Sequence, residues 1–311
     1  MTTSTSYETS ADAGALPEPP SLGKGDSVVS LRDTSCALPA TPLITIRPSK
    51  PWSSLDLHSL WSYRELLYFL MWRDIKVRYK QTLLGAAWAI LQPLVMMIVF
   101  TFFFSKLARI PTEGIPSAPF YYTGLVAWMF FSNAAISGAN SLLGNTNLIT
   151  KVYFPKMIIP SAAVCSGLVD LAVASALLLL LLIYYGFVFT WNLLLLAPLS
   201  ILLTALALAV GILFSALNTK YRDVRYALPF LLQVWMFVSP IIYPLSLVPE
   251  QWRWMISLNP MTAIIEGFRA SLFGRAPNWW GLAYSLVCSL VLLVVAAYLF
   301  RRMERSFAEV I

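Results

Sequence analysis

A short segment rich in cationic and aromatic side chains is the part of this chain best suited to binding chemistry. The residues of interest are Trp72, Arg73, Arg78, Tyr79 and Lys80. Guanidinium forks and ammonium groups suit phosphate oxygens, so this composition indicates a site for a phosphorylated ligand. The alternative is a membrane-surface anchor whose long cationic side chains reach towards lipid headgroups.

Residue counts exclude several classes of enzyme site. His58 is the only histidine, which excludes a histidine-based triad and a multi-histidine metal site. Cys36, Cys165 and Cys288 lie far apart and form no CxxC motif, so neither a zinc site nor a disulfide framework is supported. The chain also lacks a GxxxxGKS or GxxxxGKT phosphate-binding loop. We therefore expect no metal, no cofactor and no catalytic residue here, and any ATP must bind another chain.

The composition is that of a membrane protein. Of the 311 residues, 58% are hydrophobic and only 12% are charged, whereas soluble domains carry about 25% charged residues. The net charge of +7 could suggest nucleic acid as a partner. The basic residues flank apolar segments, however, and do not form a stripe on a polar domain, so the membrane surface explains them better.

The elements that position these residues are predicted to be helices. We expect an all-α membrane protein with a disordered cytoplasmic tail (1–50), an interfacial amphipathic helix region (51–82) and a six-span domain (83–311). The predicted spans are 84–105, 120–143, 160–185, 193–217, 226–243 and 279–300. Between Arg64 and the C-terminus, the inner flanks of this topology carry 13 Lys and Arg residues and the outer loops carry five. This bias places both termini in the cytoplasm.

Residues 245–275 are apolar but are interrupted by Pro249 and Pro260, so neither half can cross the membrane. We predict two short re-entrant helices, the second starting with Asn259 as its N-cap. Glu266 and Arg269 lie three apart on that helix and are predicted to pair and to brace an outer gate. The alternative is a solvent-exposed pair of small energetic value.

Polar residues inside the predicted spans indicate internal surfaces. Asn133, Ser137, Asn140 and Ser141 recur every three or four residues in the second span, a stripe that favours a helix interface or a wet cavity. Asp170, in the middle of the third span, is predicted to be paired with serine or backbone groups of a neighbouring helix. In the interfacial helix, Asp74 and Arg78 lie four apart and are predicted to pair, facing protein or an aqueous entrance.

Five sequence patterns in a fixed order carry a resemblance to a known family. They are RDIKVRYKQTLLGAAWAILQP, YYTGLVAWMFFSNAA, NLITKVYFPKMIIP, YRDVRYALPFLLQVWMFVSPIIYP and LNPMTAIIEGFR. Together they closely resemble the transmembrane subunit of bacterial ABC exporters for lipid-linked polysaccharide, which serve O-antigen, capsule and wall teichoic acid. The resemblance covers about residues 55–302, and the N-terminal tail lies outside it.

The resemblance implies a homodimer in the bacterial inner membrane, paired with two copies of a separate nucleotide-binding subunit that holds ATP and Mg²⁺. It also implies a channel along the dimer axis for a glycan carried on undecaprenyl diphosphate. The cationic segment would then be the entrance for the lipid diphosphate. We expect no nucleic acid partner, and membrane lipid is the remaining contact.

Two further sets of residues acquire expected roles from the resemblance. Residues 147–156 match the inner loop that docks on the ATPase subunit, with Leu148, Ile149, Lys151, Tyr153, Phe154 and Lys156 as docking residues; the alternative is an ordinary basic loop at the membrane surface. The candidate channel aromatics, which could stack on sugar rings, are Tyr121, Tyr122, Trp128, Phe130, Phe131, Trp235 and Phe237. Ordinary packing or an interfacial aromatic belt is the alternative for each of them.

Two other functions remain open from the sequence. An ABC exporter of small amphiphiles or drugs would need no wide aromatic-lined channel. A membrane-embedded glycan transferase would need clustered acids or metal ligands at one membrane face, and the acids of this chain are dispersed.

Overall fold

The computed structural model describes residues 62–80, 87–152, 154–187 and 190–304. All regular elements in these ranges are helices, as predicted. The α-helices are α1 (Arg64–Lys80), α2 (Ala87–Phe100), α3 (Ser117–Gly144), α4 (Thr146–Lys151), α5 (Ile158–Ser166), α6 (Leu168–Tyr184), α7 (Leu196–Lys220), α8 (Val224–Val238), α9 (Glu250–Ser257), α10 (Pro260–Phe273) and α11 (Trp279–Glu304). The predicted tail, 1–50, lies outside the described residues, as does part of the predicted interfacial region.

Four helical segments are long and apolar enough to cross a membrane. They are Ala87–Leu107, Ile158–Tyr184, Trp191–Lys220 and Trp279–Glu304. The first ends in a π-helical stretch, Thr101–Leu107, and the third begins with a 3₁₀ turn, Trp191–Leu195. These segments match the predicted first, third, fourth and last spans.

The predicted second span is the centre of the subunit. At 28 residues, α3 is about 42 Å long, which is enough to cross a bilayer. It packs against α2, α5, α6, α7, α8 and α10, and most of its side chains are buried. A helix surrounded by protein does not need a uniformly apolar surface, and this explains its polar content. The predicted fifth span, α8, has 15 residues and is short for a crossing, so the six-span count remains a prediction.

The first helix packs lengthwise on the bundle. Leu70 belongs to a buried cluster with Ile158 and Phe300 near the start of α5 and the end of α11. At its other end, α1 reaches Ser166 and Asp170, where α5 passes into α6. The observed α1 follows α5, because apolar contacts near its middle and an ion pair near its carboxyl end hold it there. Its position along the membrane surface remains a prediction.

The segment before the last helix folds into two short helices, as predicted. The side chain of Asn259 caps α10 by accepting a hydrogen bond from the backbone N–H of Met261, at 3.0 Å, and Pro260 occupies the first helical position. The same side chain accepts from Trp235 Nε1 at 2.9 Å and donates to Ser239 Oγ at 2.9 Å. Asn259 therefore ties the start of α10 to the end of α8. Their re-entrant position remains a prediction.

Candidate functional site

A cavity of about 380 Å³ opens between α1, α2, α3 and α6. Its polar lining consists of Arg78, Tyr79, Gln92, Asn133, Ser137 and Asp170, and Trp88 forms part of its wall. Trp88 and Gln92 were missed from the sequence because they lie in a run that was interpreted as uniformly apolar. Their spacing of four, which places them on one helix face, is the signal that could have identified them.

An ion pair closes one side of this cavity. Arg78 Nη1 and the hydroxyl of Tyr79 each donate to one carboxylate oxygen of Asp170, and Arg78 Nη2 lies 3.4 Å from Ser166 Oγ. The prediction that Asp170 is paired is confirmed, but its partners are side chains of α1 and not the serine or backbone groups that we expected. Burial of a charge beside an apolar span is costly unless the charge is compensated, and this requirement explains the contact.

The predicted pair between Asp74 and Arg78 is wrong. Asp74 accepts from Arg73 at 2.8 Å, while Arg78 turns towards Asp170. Asp74 is already bound by its neighbour Arg73, whereas Asp170 offers Arg78 one carboxylate oxygen while the hydroxyl of Tyr79 binds the other.

The polar stripe of α3 lines cavities, which is one of the two environments predicted for it. Asn133 and Ser137 line the first cavity. Ser137, with Asn140 and Ser141, also lines a second and more open cavity of about 500 Å³. Both cavities include Arg78 and Ser137 in their lining, so they adjoin at these two residues.

The predicted phosphate-binding residues lie in three different environments: the first cavity, the second cavity and the exposed surface. Arg78 and Tyr79 line the first cavity, and Arg73 lines the second. Trp72 and Lys80 are exposed and line neither cavity. The site that the geometry supports is therefore centred on Arg78, with polar groups from α3 and α6 opposite it.

The predicted docking loop presents different side chains from those expected. It begins with the short helix α4, but Ile149 and Phe154 are buried in the cluster that also contains Phe300, and Leu148 packs against that cluster. These side chains seat the loop on its own subunit and do not protrude towards a partner. The backbone N–H of Lys156 donates to Glu304 Oε1 at 3.3 Å, which ties the loop to α11.

The exposed surface of the loop lies on the other side of α4. We call this surface the docking face; it consists of Asn147, Thr150, Lys151 and Val152. Val152 is 52% exposed and adds an apolar group to this surface. Tyr153 lies outside the described residues.

Most of the candidate channel aromatics are packed inside the subunit. Tyr121, Tyr122, Trp128 and Phe131 are almost fully buried in the main core, so packing, the alternative to a channel role, describes these four. The ring of Trp235 lies 5.1 Å from that of Phe131 between centroids. Phe130 belongs to the same core, although it also forms part of the wall of the first cavity. Phe237, by contrast, is 55% exposed.

The predicted pair on α10 is present and is more buried than a surface pair. Arg269 Nη1 donates to Glu266 Oε1 at 2.9 Å, and Nη2 donates to the backbone oxygen of Ile241 at 3.0 Å. Its guanidinium carbon lies 3.7 Å from the centre of the Phe120 ring. The side chain of Arg269 is 3% exposed, so the alternative of a solvent-exposed pair is wrong for this residue.

A second ion pair joins loops at the same end of the subunit. Arg275 pairs with Glu113 in the loop before α3, and Ser246 Oγ donates to the same carboxylate at 2.5 Å. Burial opposes ionisation of Glu113, but the hydrogen bonds from Ser246 and Arg275 outweigh it and hold the pKa of that carboxyl below its ordinary value. The connection between α2 and α3 is thus fastened to the segments on either side of α9 and α10.

Comparison with known proteins identifies similar chains. A family model described as "ABC-2 type transporter" matches residues 65–273. The O-antigen export system permease protein RfbA of Myxococcus xanthus is 31% identical over 257 residues, which cover 81% of this chain and 98% of that protein. RfbA of Klebsiella pneumoniae is 28% identical over 79% of this chain and 95% of its own length. The polysialic acid transport protein KpsM of Escherichia coli is 25% identical over 76% of this chain and 93% of its own length.

Proposed function

Because this chain belongs to the ABC-2 type transporter family, we propose that it is the permease subunit of an exporter that moves lipid-linked polysaccharide across the bacterial inner membrane. It is a multi-pass membrane subunit of a transporter and not an enzyme. The observation that carries the proposal is the similarity to an O-antigen export permease, which extends over 98% of that protein.

The proposed assembly contains two copies of this chain and two ATPase subunits. ATP and Mg²⁺ bind the ATPase subunits, whose movement against the docking face drives the gating of the permease. Both termini of this chain face the cytoplasm, α1 lies at the inner membrane surface near the substrate entrance, and α9 and α10 are re-entrant helices at the outer end. The charge bias of the flanks supports this orientation.

The proposed substrate is a glycan on undecaprenyl diphosphate, and its headgroup enters at the cavity that contains Arg78. Arginine and tyrosine donors next to amide and hydroxyl groups suit a phosphorylated headgroup. Phe237, which is 55% exposed, is the member of the aromatic set that fits a sugar-stacking role best, and the buried Phe130 contributes to the wall of the first cavity. The pair of Glu266 and Arg269 is the proposed brace of the outer gate.

Deletion of the gene for this chain tests the function. We expect lipid-linked polymer to accumulate inside the cell and surface glycan to disappear, with both restored by a plasmid copy. Surface glycan is followed by labelling of intact cells, and internal polymer by extraction of the lysed cells. If the polymer were no longer synthesised at all, the chain would act in assembly of the glycan, and export would be rejected.

The docking face predicts a second result. The double variant Lys151→Glu with Val152→Asp places two acidic groups on an exposed surface, where they should not disturb the buried cluster beneath α4. A loss of about 2 kcal/mol at an interface hot spot weakens association roughly thirtyfold. We expect a loss of this order in co-purification of the ATPase subunit, together with loss of export.

Lys106→Glu is the matched control for the docking face. It reverses the charge of another exposed lysine at the end of the first candidate span, on the proposed outer side. This variant should retain the ATPase subunit. Equal retention of the ATPase by the double variant and by the control would reject the docking face.

A further inference from the structure

We propose that Asp170 is an internal competitor for the anionic headgroup, which must displace it from Arg78 and Tyr79 before it can bind. This inference rests on the proposed function and names the residue that sets the selectivity of the entrance. In the structure, the competitor is bound and the donors are occupied.

The geometry of the contact resembles that of a bound phosphate group. Two donors from adjacent residues, a guanidinium and a phenol, each bind a separate oxygen of the carboxylate of Asp170. Two non-bridging oxygens of a phosphate group offer the same kind of paired, charged acceptor. A phosphate that takes these two hydrogen bonds must therefore replace the carboxylate.

The contact is accessible from the cavity. The side chains of Arg78 and Asp170 are 37% and 30% exposed, and both line the space of about 380 Å³. Within the described part of the chain, Gln92, Asn133 and Ser137, which line the same space, make no hydrogen bond through their side chains. These groups can bind the remaining oxygens of a headgroup, or water when the headgroup is absent.

Charge decides which lipids can displace the competitor. Arg78 lies beside an apolar candidate span, where an unpaired guanidinium is costly, so Asp170 compensates its charge when no substrate is bound. A diphosphate carries more negative charge than one carboxylate and can exchange with it favourably. A headgroup with a single phosphate carries less negative charge and exchanges less favourably, and an uncharged lipid cannot replace the carboxylate. Asp170 thereby raises the selectivity of the entrance for diphosphates.

Displacement also has a structural consequence. The bonds from Arg78 and Tyr79 to Asp170 hold the carboxyl end of α1 to the start of α6, while Leu70 anchors the other half of α1. When the headgroup takes Arg78, the carboxyl end of α1 is released from α6, and its amino-terminal half stays in place. The first cavity then widens next to the second.

The experiment measures lipid binding by the complete complex with its ATPase subunit in nanodiscs of zwitterionic lipid. The probes are undecaprenyl diphosphate, undecaprenyl monophosphate and undecaprenol. For Asp170→Asn, we expect diphosphate affinity to rise at least tenfold, and monophosphate affinity to rise more, so that selectivity between the two narrows. Arg78→Gln should lower diphosphate affinity about tenfold, and the double variant should bind like Arg78→Gln.

The outcomes separate this inference from the proposed function. If Arg78→Gln binds the diphosphate as the wild type does, the entrance itself is wrongly assigned. If Arg78→Gln weakens binding while Asp170→Asn leaves it unchanged or weakens it, the entrance stands and the competitor is rejected. Tenfold tighter binding of undecaprenol to Asp170→Asn would also overturn the inference, because that probe has no charge with which to compete.

A measurement in the presence of native Asp170 covers the case in which Asp170→Asn does not fold. Spin labels at the exposed positions Lys76 and Arg302, introduced after replacement of the native cysteines, report the distance between α1 and α11. Undecaprenyl diphosphate should change this distance, and undecaprenol should not. An identical distance distribution with and without saturating diphosphate would overturn the release of α1 and, with it, the competition.

Discussion

Replacement of Arg269 with methionine is expected to destabilise the subunit by about 3 kcal/mol and to abolish export. The guanidinium is buried and makes three contacts that methionine cannot replace: with Glu266, with the backbone oxygen of Ile241 and with the ring of Phe120. A buried carbonyl left without a donor costs about 1–3 kcal/mol, and a desolvated cation–π contact contributes about 2 kcal/mol. The measurement is thermal unfolding of the purified complex, followed by surface glycan labelling.

Arg253→Met is the matched control for this prediction. Arg253 also donates to backbone oxygens, those of Ser246 and Val248, but it is half-buried and its partners belong to the same segment. We expect its loss to cost less than about 1 kcal/mol. If Arg269→Met had the same melting temperature as Arg253→Met, the guanidinium would not hold α10 in place, and the brace would be rejected.

The features that the sequence predicted well are those set by neighbours along the chain. The N-cap at Asn259 and the pair of Glu266 and Arg269 follow from spacing within a single helix, and both are observed. The polar stripe of α3 follows from the same helical period. Apolar length predicts four of the spans, since it depends only on the bilayer thickness.

The features that it predicted poorly depend on contacts between distant parts of the chain. Arg78 and Asp170 are separated by 92 positions, and the i,i+4 rule selected Asp74 instead. The local sequence around Phe154 is compatible with an exposed anchor and with a buried one. Its contact with the cluster that contains Phe300, which is distant in sequence, makes it buried. The candidate site is therefore the part that sequence patterns alone define least, because it forms where α1 meets α6.

The central position of α3 has a further basis in two glycines. A Cβ atom at Gly138 would lie 2.9 Å from Val164 Cγ2 and 3.0 Å from the Cα of Gly211. The second of these neighbours is backbone, which cannot move aside without separating α3 from α7. This close approach helps to place the face of α3 that carries Asn133 and Ser137 against the cavities, so the packing and the candidate site depend on the same contact.

Gly138→Val is accordingly expected to destabilise the subunit by about 3 kcal/mol or more, since overpacking of a tight core costs about 1–3 kcal/mol and this site has backbone on one side. Gly144→Val is the matched control, because it lies on the same helix and a Cβ there meets nothing within 4 Å. The control should change stability by less than about 1 kcal/mol, since valine and glycine differ little in helix propensity. Both are measured as the yield of monodisperse protein in detergent and its melting temperature. Equal values for the two variants would mean that α3 and α7 can separate at no cost, and the argument that their contact positions the cavity residues would fail.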